Sequence, residues 1–229
     1  SAGYAGDNNW PQATDNVYVG RSAGRNLDDG YGNVIIGKEA GLSDSGGGNA
    51  TQYDVFIGHK AAYVTTDTVR SIVIGNEAGY SMTIGSESVI IGDQAGYDLT
   101  TTTKTVLIGR AAGADINSTD ANGTIAIGYN TGRSITSGQK NTIIGYNAGD
   151  AMTTSDSNTI IGYEAGTSVI TSGEQGSTLI GKEAGKALTT GAYNTAIGRG
   201  ALKTATTAAA CIAIGDQAMQ YTPAGVNVT

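Results

Sequence analysis

One cysteine, one histidine, one tryptophan, one phenylalanine and two prolines are spread over 229 residues, and only 14% of the chain is charged. Each scarcity excludes something. A single cysteine, Cys211, cannot close an intrachain disulfide, and no CxxC or paired-histidine spacing offers a metal its usual ligands. With His59 as the lone histidine, a serine–histidine–aspartate triad has one candidate base at most. No run of 18 apolar residues is present, so no membrane-spanning helix is expected. A net charge of −7 argues against nucleic acid and against anionic membrane surfaces as partners. One phenylalanine beside 36 glycines is a poor recipe for a thick globular core. No stretch keeps apolar residues at i, i+3 and i+4, and glycine recurs too often for helix interiors.

What the chain has instead is a repeat. Residues 141–149 read NTIIGYNAG and residues 158–166 read NTIIGYEAG, 17 positions apart. The motif glycine recurs at Gly20, Gly37, Gly58, Gly75, Gly92, Gly109, Gly128, Gly145, Gly162, Gly181, Gly198 and Gly215. The unit is 17 residues, lengthened three times by small insertions, around 46–50, 117–123 and 171–176. Counted from that glycine, position −1 is isoleucine in every copy but Val19. Position −3 is always β-branched, −4 is small, and +3 is alanine except at Thr131. A second glycine usually stands at +4 and an apolar residue often at +7.

β-Branched residues at alternate positions fit a pleated strand with one face buried. A glycine directly after it allows a conformation other residues resist, or close approach of a neighbouring coil. The alanine fits a tight inward site, and the residue at +7 is expected to begin a second short strand. One copy cannot bury its own apolar face, whereas stacked copies can. The unit is also too short for a helical hairpin repeat, which needs about 33–34 residues. These features predict an all-β fold, a parallel β-solenoid of about twelve coils of 17 residues. With coils about 4.8 Å apart the rod would be roughly 55–60 Å long. Residues 1–15, with Trp10 and Pro11, then form an N-terminal cap or linker; 16–219 form the solenoid; 220–229, with Pro223, form a C-terminal tail or linker.

Both parities of the strand are apolar, as in Ile143 and Ile144, so a second face needs cover. Position −2 (Ile35, Phe56, Val73, Ile90, Leu107, Ile143, Ile160 and Leu179 among its members) reads as an apolar stripe down the rod. An exposed stripe of that length marks association, so these residues are the candidate interface of a homo-oligomer.

The candidate contact surface is aromatic. Tyr129, Tyr146 and Tyr163 recur at +1 in three successive coils, and Tyr63, Tyr80 and Tyr97 at +5. In register, each triplet makes a tyrosine ladder. It is either an amphipathic platform for a glycan or protein partner, or a structural stack that stabilises the coils. His59 and the recurrent Glu39, Glu77, Glu164 and Glu183 read as solvated turn residues, and Cys211 as a packed thiol. Turn carboxylates such as Asp28, Asp29, Asp44, Asp115, Asp120 and Asp156 form no repeated Asp-x-Asp calcium loop. No cofactor is implied.

NTAIGRGAL (194–202), NTIIGYNAG, SVIIGDQAG (88–96) and CIAIGDQAM (211–219) resemble the head repeats of trimeric autotransporter adhesins of the YadA type, and NTAIG-type repeats of bacteriophage tail fibres. The resemblance spans about residues 16–219 and implies a left-handed β-roll, a homotrimer and a surface-binding role outside the cell or on a virion. The 17-residue unit is longer than the usual adhesin one, and no coiled-coil stalk, neck motif or anchor is visible. The leading expectation is a non-enzymatic adhesin or tail-fibre segment that attaches to a receptor or host surface. The alternative is a structural subunit of an extracellular filament or sheath built from stacked solenoids. Ice binding, a third reading, needs a flat two-column threonine array, whereas the pairs around Thr100–Thr103, Thr153–Thr154 and Thr189–Thr190 are expected in irregular turns.

Overall fold

The computed structural model describes residues 14–27, 29–43, 51–101, 103–118, 121–169, 173–174 and 176–221. The expectations for Trp10, Pro11 and Pro223, for the insertion around 46–50 and for much of that around 171–176 lie outside them. The described chain is all-β. Its twelve motif strands, from Val17–Val19 to Ile212–Ile214, form one parallel sheet in sequence order, a β-solenoid of about eleven turns. Register follows the repeat: Thr142 pairs with Thr159, Ile143 with Ile160 and Ile144 with Ile161. Among the described residues a second face is strand in two fragments, Asp67–Val69 beside Ile84–Ser86 and Ser155–Asp156 beside Gly173–Glu174. The residue at +7 is buried core, as in Met82, Leu99 and Met152, but precedes those strands instead of opening them.

The motif glycine is obligatory for two separate reasons. Gly145 has φ +137, and a methyl placed on it would lie 2.7 Å from the carbonyl carbon of Gly162 in the next coil. The turn that follows places ordinary residues in the left-handed region as well, such as Asn147 (φ 49) and Glu164 (φ 50). Each such residue costs about 1 kcal/mol. The conformation is held because the Glu164 N–H donates to the Tyr146 carbonyl of the preceding coil at 2.9 Å, a bond that recurs along the stack.

Inside the coil the residues at −2, +3 and +7 meet. Ile35, Phe56, Val73, Ile90, Leu107, Ile143, Ile160 and Leu179 are all 0% exposed. The stripe expected to carry the oligomer contact is therefore the core of the chain itself. The physical reason is the direction in which the chain curls. Positions −4 and −2 share one face of a three-residue strand, −3 and −1 the other, and the turns close over the −4/−2 side with Ala40, Ala78, Ala95 and their equivalents. Each fully buried aliphatic side chain contributes roughly 1.5–3 kcal/mol.

The small residues at −4 do more than fill space. Their side-chain oxygens accept the N–H of the equivalent residue one coil on: Asn33 from Asp54 (2.9 Å), Asp54 from Ser71 (2.6 Å), Asn141 from Asn158 (2.9 Å) and Asn194 from Cys211 (3.0 Å). A second donor closes the rung sideways, with the Asn141 and Asn194 amides giving to the carbonyls of Ser155 and Ala208 at 2.8 and 2.7 Å. This buried polar ladder satisfies groups that a narrow coil has no water to serve. Cys211 is its last described rung and is buried.

Candidate functional site

Two outward surfaces run the length of the sheet. The first is the outer face of the strands. Its −3 column reads Val17, Val34, Val55, Ile72, Val89, Val106, Ile125, Thr142, Thr159, Thr178, Thr195, Ile212, and its −1 column is Val19 followed by isoleucine throughout. All 24 positions are β-branched. Within the stack they are mostly half-buried by their own column neighbours, and at the last strand Ile212 and Ile214 reach 59% and 65% exposure. With about 4.8 Å per coil and two columns roughly 7 Å apart, the face covers roughly 400 Å2. That is the size of the largest apolar patches monomers carry, which are often functional. The change of composition within it is sharp: one column turns from Val and Ile to threonine over four coils. The hydroxyls of Thr142, Thr159, Thr178 and Thr195 bond to no group among the described residues.

The second surface is the edge formed by the turn. Tyr129, Tyr146 and Tyr163 stack with ring centroids 5.1 and 5.3 Å apart and planes within 8° of parallel. The Arg110 guanidinium lies 5.5 Å from one end of the stack and the Lys182 ammonium 5.6 Å from the other. Tyr63, Tyr80 and Tyr97 stack at 4.9 Å with Lys60 over the first two rings. Both predicted triplets are thus brought together as ladders. A sugar, however, packs on an aromatic face, and here each inner face is covered by the neighbouring ring. What reaches solvent is edges and hydroxyls, with Tyr129, Tyr146 and Tyr163 38–46% exposed.

The ladder continues as a polar chain in the same column. His59 Nδ1 lies 3.0 Å from Asn76 Oδ1; the Asn76 amide donates to Asp93 (2.8 Å); Arg110 donates to Asp93 (3.3 Å) and to the Tyr129 hydroxyl (3.0 Å). His59 is a half-buried member of this chain, and its side-chain partner among the described residues is the Asn76 amide oxygen. Glu39, Glu164 and Glu183 at +2 are ion-paired instead of simply solvated, and Glu77 accepts from the Gln94 amide at 3.1 Å. Lys186 lies against Glu164 and Glu183, and Lys203 against Glu183 at 2.8 Å. The bond to Lys186 holds the Glu164 carboxyl below its usual range, and Lys203, followed by Lys186, does the same for Glu183. Asp115 and Asp150 are pushed up by burial, with Arg133 opposing. Among the described residues no group of three or more His, Cys, Asp or Glu could hold a metal ion, and no helix is long and apolar enough to cross a membrane.

Sequence reasoning missed an ordered threonine column at +8. Thr66 and Thr83 donate to the carbonyls of Thr83 and Thr100 (2.7 and 3.1 Å), Thr136 to Thr153 (3.3 Å) and Thr189 to Thr206 (3.0 Å). The recurrence of threonine eight residues after the glycine was the available signal. These hydroxyls are spent on the backbone, so the turn threonines are not a free hydroxyl array. No protein-family model, curated protein or solved structure matches the chain.

Proposed function

We propose that this chain is a non-enzymatic attachment rod of the adhesin or tail-fibre kind, working outside the cell or on a virion as a parallel homotrimer with left-handed coils. The observation that carries the proposal is the unbroken β-branched outer face. It runs the length of the stack, and in this reading the subunits assemble on the −3 and −1 columns in place of the −2 stripe. A rod fixed in this way serves to hold distance and present a repeated edge. The edge bearing the tyrosine hydroxyls, Arg110 and Lys182 is then the receptor side, meeting a cell-surface glycan or protein by hydrogen bonds and not by ring stacking.

Light scattering coupled to gel filtration tests the assembly. A mass near three times 23.0 kDa is expected for the chain. Ile144→Asp with Ile161→Asp should give folded monomers with an unchanged β spectrum, because both side chains point outward. Ile143→Asp, one residue earlier, should abolish folding instead. A monomeric wild type would overturn the proposal. Open-ended polymers would favour the filament reading, in which strands Val17–Val19 and Ile212–Ile214, each hydrogen-bonded to one neighbouring strand among the described residues, join head to tail.

A further inference from the structure

The lone cysteine is buried, so no disulfide ties one coil to the next. Two of the three methionines, Met82 and Met152, are fully buried as well. The oxidisable side chain that the rod offers in number is tyrosine, and six of its twelve tyrosines stand in the two ladders. Tyr63, Tyr80 and Tyr97 have planes within 13° of parallel at 4.9 Å, and the second ladder is flatter still. In such a ladder equivalent atoms of successive rings, the carbons ortho to the hydroxyl included, lie about one coil spacing apart, roughly 5 Å.

We infer that the two tyrosine ladders are modification sites, at which hydrogen peroxide acting through a haem peroxidase couples rings of successive coils into dityrosine staples. The oxidant takes one electron and one proton from each of two neighbouring phenols. The two phenoxyl radicals join through a carbon–carbon bond between ortho positions. The hydrogens on those two carbons then return to the oxygens by way of solvent and restore both phenols. The pair has lost two hydrogen atoms in all, and one peroxide has become two waters. Radical coupling is otherwise limited by encounter, whereas a ladder holds the second ring beside the first. The new bond lies in the plane of both rings, so one ring swings out of the stack as it forms. The open edge leaves room for that movement, since Tyr129, Tyr146 and Tyr163 are 38–46% exposed. A staple between Tyr63 and Tyr80 closes a loop with a sequence separation of 17 and constrains the unfolded chain as a disulfide does. The inference concerns rings within one chain and is independent of how copies assemble.

The test exposes the full chain at micromolar concentration to hydrogen peroxide and a haem peroxidase, stops the reaction early and reads dityrosine fluorescence. Trypsin cuts at Arg70 and at Arg133 and Lys140, so the Tyr63–Tyr80 and Tyr129–Tyr146 pairs appear as joined peptides two hydrogen atoms lighter than their sum. Tyr193 and Tyr221 serve as the comparison, being 63% and 80% exposed with no stacked ring among the described residues. The two ladder pairs should exceed all pairs containing Tyr193 or Tyr221 by about tenfold, because the stacked neighbour is present at a far higher effective concentration than a second chain. Tyr80→Phe keeps a ring in the stack and removes the phenol. It should abolish the Tyr63–Tyr80 pair and leave Tyr129–Tyr146 unchanged. The stapled chain, running as a single chain on a denaturing gel, should unfold at a higher urea concentration. Links formed mainly between chains through Tyr193 and Tyr221, or ladder tyrosines consumed without joined peptides, would overturn the inference.

Discussion

Residues 71–125 and residues 141–211 build the same coil from different materials. In the first region the buried rungs are Ser71, Ser88, Thr105 and Thr124, and the coil-to-coil bonds they make are long: Ser88 N–H to Ser71 at 3.4 Å, Thr105 N–H to Ser88 at 3.3 Å. In the second, Asn141, Asn158 and Asn194 span the gap at 2.9–3.0 Å, with Ser177 interposed. An amide oxygen sits one bond farther from the backbone than a hydroxyl, so it reaches the next coil without strain. The apolar filling does not follow the rungs: Val73, Ile90 and Leu107 occupy the first region's −2 column, and Ile143, Ile160, Leu179 and Ala196 the second's, all fully buried. The difference between the regions therefore lies in the polar rung, where an amide reaches the next coil at a shorter distance than a hydroxyl does.

Breaking the frame common to both regions has the largest effect. Gly145→Ala should lower stability by roughly 3 kcal/mol or more in chemical denaturation, because strain and backbone overlap add. Asp54 sharpens the comparison from its junction. It is the one carboxylate in the ladder, and burial pushes it up to about 6, although the Ser71 N–H and the Thr68 hydroxyl oppose the shift. Its folded value lies above its ordinary 3.8, so the protonated fold is favoured. Stability should fall as pH rises from about 4 to about 6 and then level off. Asp54→Asn reproduces the rung found at Asn33 and should raise stability at pH 7–8 by about 2–3 kcal/mol, with no loss across that window. An unchanged pH profile in urea titrations would show that Asp54 is not the titrating group.

Truncating rungs compares the two regions directly. Asn158→Ala should cost about 2 kcal/mol and Ser88→Ala about 1 kcal/mol or less, since the serine makes only long bonds; equal losses would erase the distinction. Tyr146→Leu, which removes the middle of a stack, should cost about 1 kcal/mol and leave the oligomer mass unchanged. The smallest change is a gain. The Tyr18 hydroxyl is buried without a hydrogen-bond partner among the described residues, the Asn33 amide being nearby but not in bonding geometry, and burial pushes the phenol up to about 12. Tyr18→Phe should stabilise by up to about 1 kcal/mol, read as a small rise in melting temperature.

Periodicity alone established the twelve motif strands, their order and their register; the second strand it suggested for every coil formed in two places only among the described residues. With one unit per coil, equal spacing along the chain has to become equal height in the stack, so Tyr146 over Tyr129 could be read from residue numbers. The requirement for glycine at Gly145 and for alanine at Ala148 was legible for the same reason. What composition could not decide was the side toward which the strand curls. Ile143 and Ile144 are the same residue, and nothing in either marks it as inner or outer. Only closure of the coil, with Asn141 turned inward to complete the ladder, placed Ile143 in the core and left Ile144 and Thr142 outside. The faces of the tyrosines were equally illegible. Sequence set the rings one above another, but their stacking distance and the cations at the ends determined that edges and hydroxyls, not faces, are what this rod presents.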